Sequence, residues 1–502
     1  MPLSLEKLRR AARQLRKDHD VGDSRALARL AQHPPRRDAT ALRHADYLHV
    51  IAQEQNFANW PALKLAVETH GLDRAGKLQH LKVALAHGNN RGVAALLADT
   101  ADLAKGVFGL EVALYDRQAV EAALQADPGL ATRRLGPKTA LAHLAFSRYH
   151  KARPDLHQDM MAIADVLLDH GADVNDTVEQ DGASLSMLYG AIGHADNMPL
   201  GQWLLDKGAD PNDGESLYHA TELGHHDGLR MLLKAGADPE GTNALLRALD
   251  FNDHAAVRML LNAGAQAGEF NDTWVGGERP WVIPALHQAA RRMCDAEMIE
   301  LLLRAGADPS AQYQGVSAYS YARVFGNTAM AQAIAQRADP PALSEVEMLL
   351  ASAAEEAAVP DGALAGVDLP QAYADLLRLI VHLPGNQQQI QNLVALGVAF
   401  DTPDAEGLTP TQIAGWEGVP DKLAYFLSLG PDLTHVNGYG GTLVSTILHG
   451  AQNCPQRSER DHVACLRLAL EAGCALPENA ASFVEDENLA AFIEDWRTSL
   501  RG

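Results

Sequence analysis

His219, Glu222, His225 and His226 stand within eight residues, in the stretch HATELGHH, and the spacing 219–222–226 approximates one face of a helix. Two imidazoles and a carboxylate on one face form a donor set that zinc accepts. A second concentration, Cys454, Cys465 and Cys474 with His449 and His462, has neither CxxC nor HxxxH spacing to organise it. Cys465 lies in the apolar run VACLRLALEAG and Cys474 just beyond its glycine, so small buried thiols are the fitting reading. GPKT at 136–139 lacks the upstream glycine of a phosphate loop, and no HExxH, GxSxG or strand-anchored GxGxxG occurs. The expectation is therefore no catalytic residue, no metal ligand and no cofactor. Aromatics and arginine in a polar loop carry a different kind of chemistry. AQAGEFNDTWVGGERPWVIPAL holds Phe270, Trp274, Arg279 and Trp281 among Gly, Asn and Asp, the composition of a binding hot spot.

These side chains need a scaffold, and 502 residues exceed what one hydrophobic core organises. Hydrophobic residues make up 47% of the chain and charged ones 21%, which excludes a disordered polymer, and no apolar run approaches the ~20 residues of a membrane span. Alanine occurs 85 times while aromatics are 5%, which suits helices packed closely side by side. The net charge of −22 argues against general nucleic-acid binding, although residues 1–44 hold eleven Lys/Arg against five Asp/Glu. Four cysteines are too few for a disulfide framework, and the N-terminal MPLSLEKLRRAARQLRK lacks the apolar region of a secretory signal. A cytoplasmic protein is expected, with secretion by a signal-less route left open.

A phrase recurs: LLDHGADVN at 167, LLDKGADPN at 204, LLKAGADPE at 232, LLNAGAQAG at 260 and LLRAGADPS at 302. Paired leucines fill the buried face of a helix end, glycine takes the left-handed position after it, and Asp with Pro or Asn opens a turn. Stops fall at Gly171, Gly208, Gly236, Gly264, Gly306, Arg337, Gly397, Gly430 and Gly473, which with one double interval gives a period near 34 residues. GLTPTQIAGWEGVPDKLAYFLSLGPDL at 407–433 is the fullest copy, with Thr409-Pro410 opening a first helix, Ala414 within it, and Gly418 and Gly430 ending the two helices.

This pattern resembles the ankyrin repeat, two helices and a turn in about 33 residues. The resemblance implies an all-α, ankyrin-type helical-repeat solenoid with helical N- and C-terminal caps, about twelve units in number. Residues 1–76 read as an N-terminal helical extension like that of many bacterial members, with Phe57 and Trp60 packing on neighbouring helices. Residues 77–340 read as repeats, 341–370 as a degenerate repeat or linker, 371–475 as C-terminal repeats and 476–502 as capping helices. Tyr218 stands where the repeat usually has histidine, and Gly-His commonly ends its first helix, so the histidine group at 219–226 reads as structural.

Ankyrin arrays bind along a concave face, using first helices and the tips between units. The units ending at Gly236 and Gly264 are clipped to 28 residues and the next is long, its excess falling in the loop 266–284. A low wall beside a high one makes a recess floored by Tyr218, Glu222 and Arg247. The expected function is a non-catalytic scaffold or regulator binding a protein, with no nucleic acid and no membrane. The acidic balance would steer a basic partner, and Trp274, Trp281, Phe270 and Arg279 would join the floor residues in holding it. An enzyme or small-molecule or metal binder with a histidine/carboxylate site in the concavity is the alternative.

Overall fold

The computed structural model describes residues 4–34, 42, 44–57, 59–180, 183–268, 270–271, 282–477, 480, 484 and 486–499, with the side chains of 487, 498 and 499 excepted. Among these the fold is α-helical, and its only sheets are two antiparallel hairpins of two strands each. One pairs Thr177–Gln180 with Ala183–Ser186, the other Gln312–Tyr313 with Val316–Ser317. Both are turns between helix pairs, as the all-α repeat reading expects.

The repeated phrase ends helices where the sequence placed the ends. All eight glycine stops have φ between +74° and +109°, the left-handed region that a Cβ disfavours. At the ninth stop Arg337 has no such φ. The helix Thr328–Ala335 closes instead through bonds from the Arg337 and Ala338 amides to the Ile334 carbonyl. The fullest copy folds as read. Thr409 caps Pro410–Trp416 in a capping box with Gln412, and Ala414 is wholly buried. In the degenerate stretch, Glu345–Ala354 is a helix with its own Ser344–Glu347 capping box, and residues 355–370 contain no helix.

Two compact units partition the chain. The first comprises Met1–Val67, Gln312–Ala331 and Asp339–Gly502. In it the helices Leu5–Asp20, Ser24–Gln32 and His44–Glu54 enclose Leu8, Leu15, Tyr47, Leu48 and Ile51, with Trp60 buried and Phe57 half-buried against them. This cluster packs on the helix Glu487–Ser499, which also meets His462–Glu471 of the last helix pair. Arg13 pairs with Glu494 and, at 3.4 Å, with Asp495, so the basic face of Leu5–Asp20 has its acidic counterpart on the C-terminal helix.

The second unit, Glu68–Ala311 with Gln332–Ala338, is built of helix pairs. Their first helices are Ala140–Ala145, Met187–Tyr189 continuing through the π-turn Gly190–His194, Ser216–Ala220, Ala244–Asp250 and Ala285–Arg291, each packed on the next. Ala140, Ala142, Ala191, Ala220, Ala244, Ala248 and Ala289 are wholly buried between them. The alanine-rich composition is thus spent on close helix stacking.

Candidate functional site

One edge of this stack carries a row of charged and aromatic side chains, most of them half-buried. His219 sits at its centre, with Nε2 3.2 Å from Glu215 and Nδ1 3.0 Å from Glu222. Both ring nitrogens face carboxylates, so both act as donors and the imidazolium form is the one the geometry suits. Burial opposes that charge, but hydrogen bonds and charge from Glu215 and Glu222 outweigh it and raise the His219 pKa to about 9. Glu222 is likewise opposed by burial and held below the ordinary carboxylate range by His219 and Arg247.

Arg247 links four neighbours. Its Nε donates to Glu222 at 2.7 Å and its NH1 to Asp250 at 2.7 Å. Its guanidinium lies over the Tyr218 ring at 5.7 Å and the Phe251 ring at 5.0 Å. Asp250 in turn accepts from Arg292 Nε at 2.7 Å and from the Gln288 amide. The chain Glu215–His219–Glu222–Arg247–Asp250–Arg292 therefore crosses three consecutive first helices.

In the other direction the row becomes aromatic and cationic. The Tyr189 ring meets His219 edge-on at 4.9 Å and Phe146 at 6.0 Å, and the Lys138 ammonium lies 4.3 Å above Phe146. Burial lowers the Lys138 pKa to about 8. Burial, with the positive charge of Arg148, Lys138 and Lys151, lowers the His194 pKa to about 4. Tyr189 precedes and His194 ends the π-turn, a widening that frequently marks functional positions in helices.

Of the residues predicted as a recess floor, Arg247 thus contacts both Tyr218 and Glu222. Phe270 is half-buried, and its neighbour Asn271 exchanges bonds with Asn243 and donates to the Gly241 carbonyl, which hooks the start of the long loop onto the preceding turn. Trp274, Arg279 and Trp281 lie outside the described residues. The zinc arrangement weighed for His219, Glu222 and His226 is not assembled. His225 turns to Asp196 at 2.9 Å and His226 to Asp253 at 2.8 Å, each a different carboxylate in a different direction. Nor do the cysteines converge. Cys454 and Cys465 are wholly buried, burial raises both thiol pKa values, and His462 Nε2 bonds the Trp416 carbonyl oxygen. Among the described residues no group of three or more His, Cys, Asp or Glu is placed to hold a metal ion.

Glu215, Asp250, Arg292, Tyr189, Phe146 and Lys138 were missed from sequence. The fourth residue after each N-cap reads His143, Gly190, His219, Arg247 and Gln288, polar in four of the five helices; this column points to the row but holds none of the six.

Comparison with known proteins adds the family signal. Residues 188–271 match a model of ankyrin repeats in three copies, and residues 284–313 match the single ankyrin repeat. Among solved structures, the ankyrin repeat domain of human ASB11 is 22% identical and covers 47% of this chain and 99% of its own, with a TM-score of 0.36. An ankyrin repeat domain from Acinetobacter baumannii AYE is 25% identical and covers 37% of this chain and 95% of its own, with a TM-score of 0.30. No curated protein matches the chain.

Proposed function

Since the chain is an ankyrin-repeat protein, we propose that it is a non-catalytic scaffold or regulator that binds a protein partner along the first helices of residues 140–292. Ankyrin repeats are in general protein-interaction modules. The half-buried row from Lys138 to Arg292, with Glu222 exposed at its centre, supports this reading. Its side chains are held by neighbours across units, so a partner meets a surface already ordered and loses little entropy in fixing it. Tyr218 and Arg247 are of the residue types that dominate interface energetics, and they lie against each other. The partner is a basic protein, drawn by the acidic balance of the chain, and Trp274, Trp281, Arg279 and Phe270 complete its contact. The protein works in a reducing, cytoplasmic compartment, in keeping with four free cysteines.

The test is capture from native cytosol on the immobilised chain, followed by titration of the captured partner. Replacing Trp274 and Trp281 together by Ala should weaken binding by more than ~2 kcal/mol with the helical signal intact. Unchanged affinity removes the long loop from the interface.

A further inference from the structure

The helices Pro410–Trp416 and Leu443–Asn453 of the first unit enclose, with the turn at 437–441, a cavity of about 660 Å³. The helices approach closely because residue 450 is glycine, where a Cβ would lie 2.2 Å from the Trp416 carbonyl oxygen. The turn is held by its own hydrogen bonds. Asn437 Oδ1 accepts from the Tyr439 and Gly441 amides, and its Nδ2 donates to Thr446 at 3.3 Å. Tyr439 stands at the mouth, 74% exposed. Ile413, Trp416 and Ser445 contribute half-buried surface and His449 an exposed rim, and among the described residues no Asp, Glu, Lys or Arg lines the cavity.

Two nitrogens in this lining are unspent. The Trp416 and His449 rings meet at 5.1 Å. The Asn453 amide nitrogen donates to the His449 carbonyl at 3.0 Å and to His449 Nδ1 at 3.0 Å. A carbonyl can only accept, which identifies the amide nitrogen, so Nδ1 is the acceptor and the ring proton is on Nε2. Neither that N–H nor the Trp416 indole N–H has a partner among the described residues.

We infer that this cavity binds a small uncharged organic molecule with an aromatic or branched apolar body and a carbonyl-type oxygen. Its volume falls in the range of small-ligand sites, which pair apolar walls with a few polar groups. A charged ligand would lose its hydration and find no counter-charge in the lining. An acceptor oxygen, in contrast, finds two N–H groups without partners. The site lies in the other unit from the partner-binding row and does not depend on it.

The experiment uses the full chain labelled with ¹⁵N, with the Trp416 indole resonance assigned by its loss in Trp416→Phe. Benzamide, benzoate and benzylamine are titrated separately. Benzamide is expected to shift the Trp416 resonance saturably, about tenfold more tightly than either charged analogue. Ser445→Phe, which fills the cavity from a half-exposed position, should abolish the shift, and His449→Phe should weaken it several-fold with the spectrum otherwise retained. Equal binding of the charged analogues, a shift surviving Ser445→Phe, or no shift from benzamide in a folded wild-type chain overturns the proposal. A response to an apolar peptide such as acetyl-Leu-Leu-amide without one to benzamide assigns the cavity to a polypeptide and equally overturns it.

Discussion

Arg247 Nε lies 2.7 Å from Glu222 Oε1, which ties together first helices of two consecutive units. Both side chains are about 28–29% exposed, between the surface pairs that contribute little and the buried pairs that cannot be broken cheaply. Glu222 keeps His219 and Asp250 keeps Arg292 when the guanidinium is removed. A double-mutant cycle of Arg247→Ala with Glu222→Gln should therefore give a coupling of about 0.5–3 kcal/mol in urea unfolding. A coupling of zero would mean that the row is assembled without energetic linkage between units.

His219 sets a pH dependence. Its pKa is about 9 in the fold against an ordinary 6.5, so the folded state binds this proton more tightly than the unfolded state. The resulting stabilisation is complete below about pH 6.5 and is lost as pH rises through about 9. An NMR titration of the His219 ring should show this midpoint, and Glu215→Gln should lower it. A midpoint near 6.5 in the wild-type chain would contradict the assigned imidazolium.

Leu302 is 0% exposed whereas Leu301 is half-buried, so the paired leucines of the repeated phrase are not equivalent. Leu302→Ala should cost about 2–5 kcal/mol and Leu301→Ala clearly less. Hydrogen exchange should accelerate mainly in the adjoining helices, because each pair leans on its neighbours. Acceleration spread evenly over the whole chain would argue against repeat-wise packing.

Gly264 has φ +109° and nothing within 4 Å of where a Cβ would be. Substitution there is a matter of backbone strain alone. Gly264→Ala should cost about 1–2 kcal/mol in thermal or urea unfolding, and Gly264→Asn less, since Asn tolerates the left-handed region better. Equal losses for the two would point to a packing cause that the geometry does not contain.

The repeat was legible because its signals are local. A glycine stop, a leucine pair and a Thr-Pro helix start each depend on a few neighbouring residues, and the helix ends fell where these signals stood. The packing of Leu5–Asp20 on Glu487–Ser499 was not legible, because the Arg13–Glu494 pair joins residues far apart in sequence with no periodic cue. The site lay between these extremes. Tyr218, Glu222 and Arg247 follow from their place in the period. Tyr189 against His219 arises beside the π-turn from contact between neighbouring repeats, which no spacing within one repeat encodes, and Lys138 over Phe146 from the way the chain enters and leaves Ala140–Ala145.

The proposed function requires the partner to contact the first helices of residues 140–292. Hydrogen–deuterium exchange of the full chain with and without its captured protein partner tests this directly. Protection is predicted in Ser216–Ala220, Ala244–Asp250 and Ala285–Arg291 and in the loop that follows Gly264. Protection confined to the second helices of the pairs, or to the first unit alone, would contradict it.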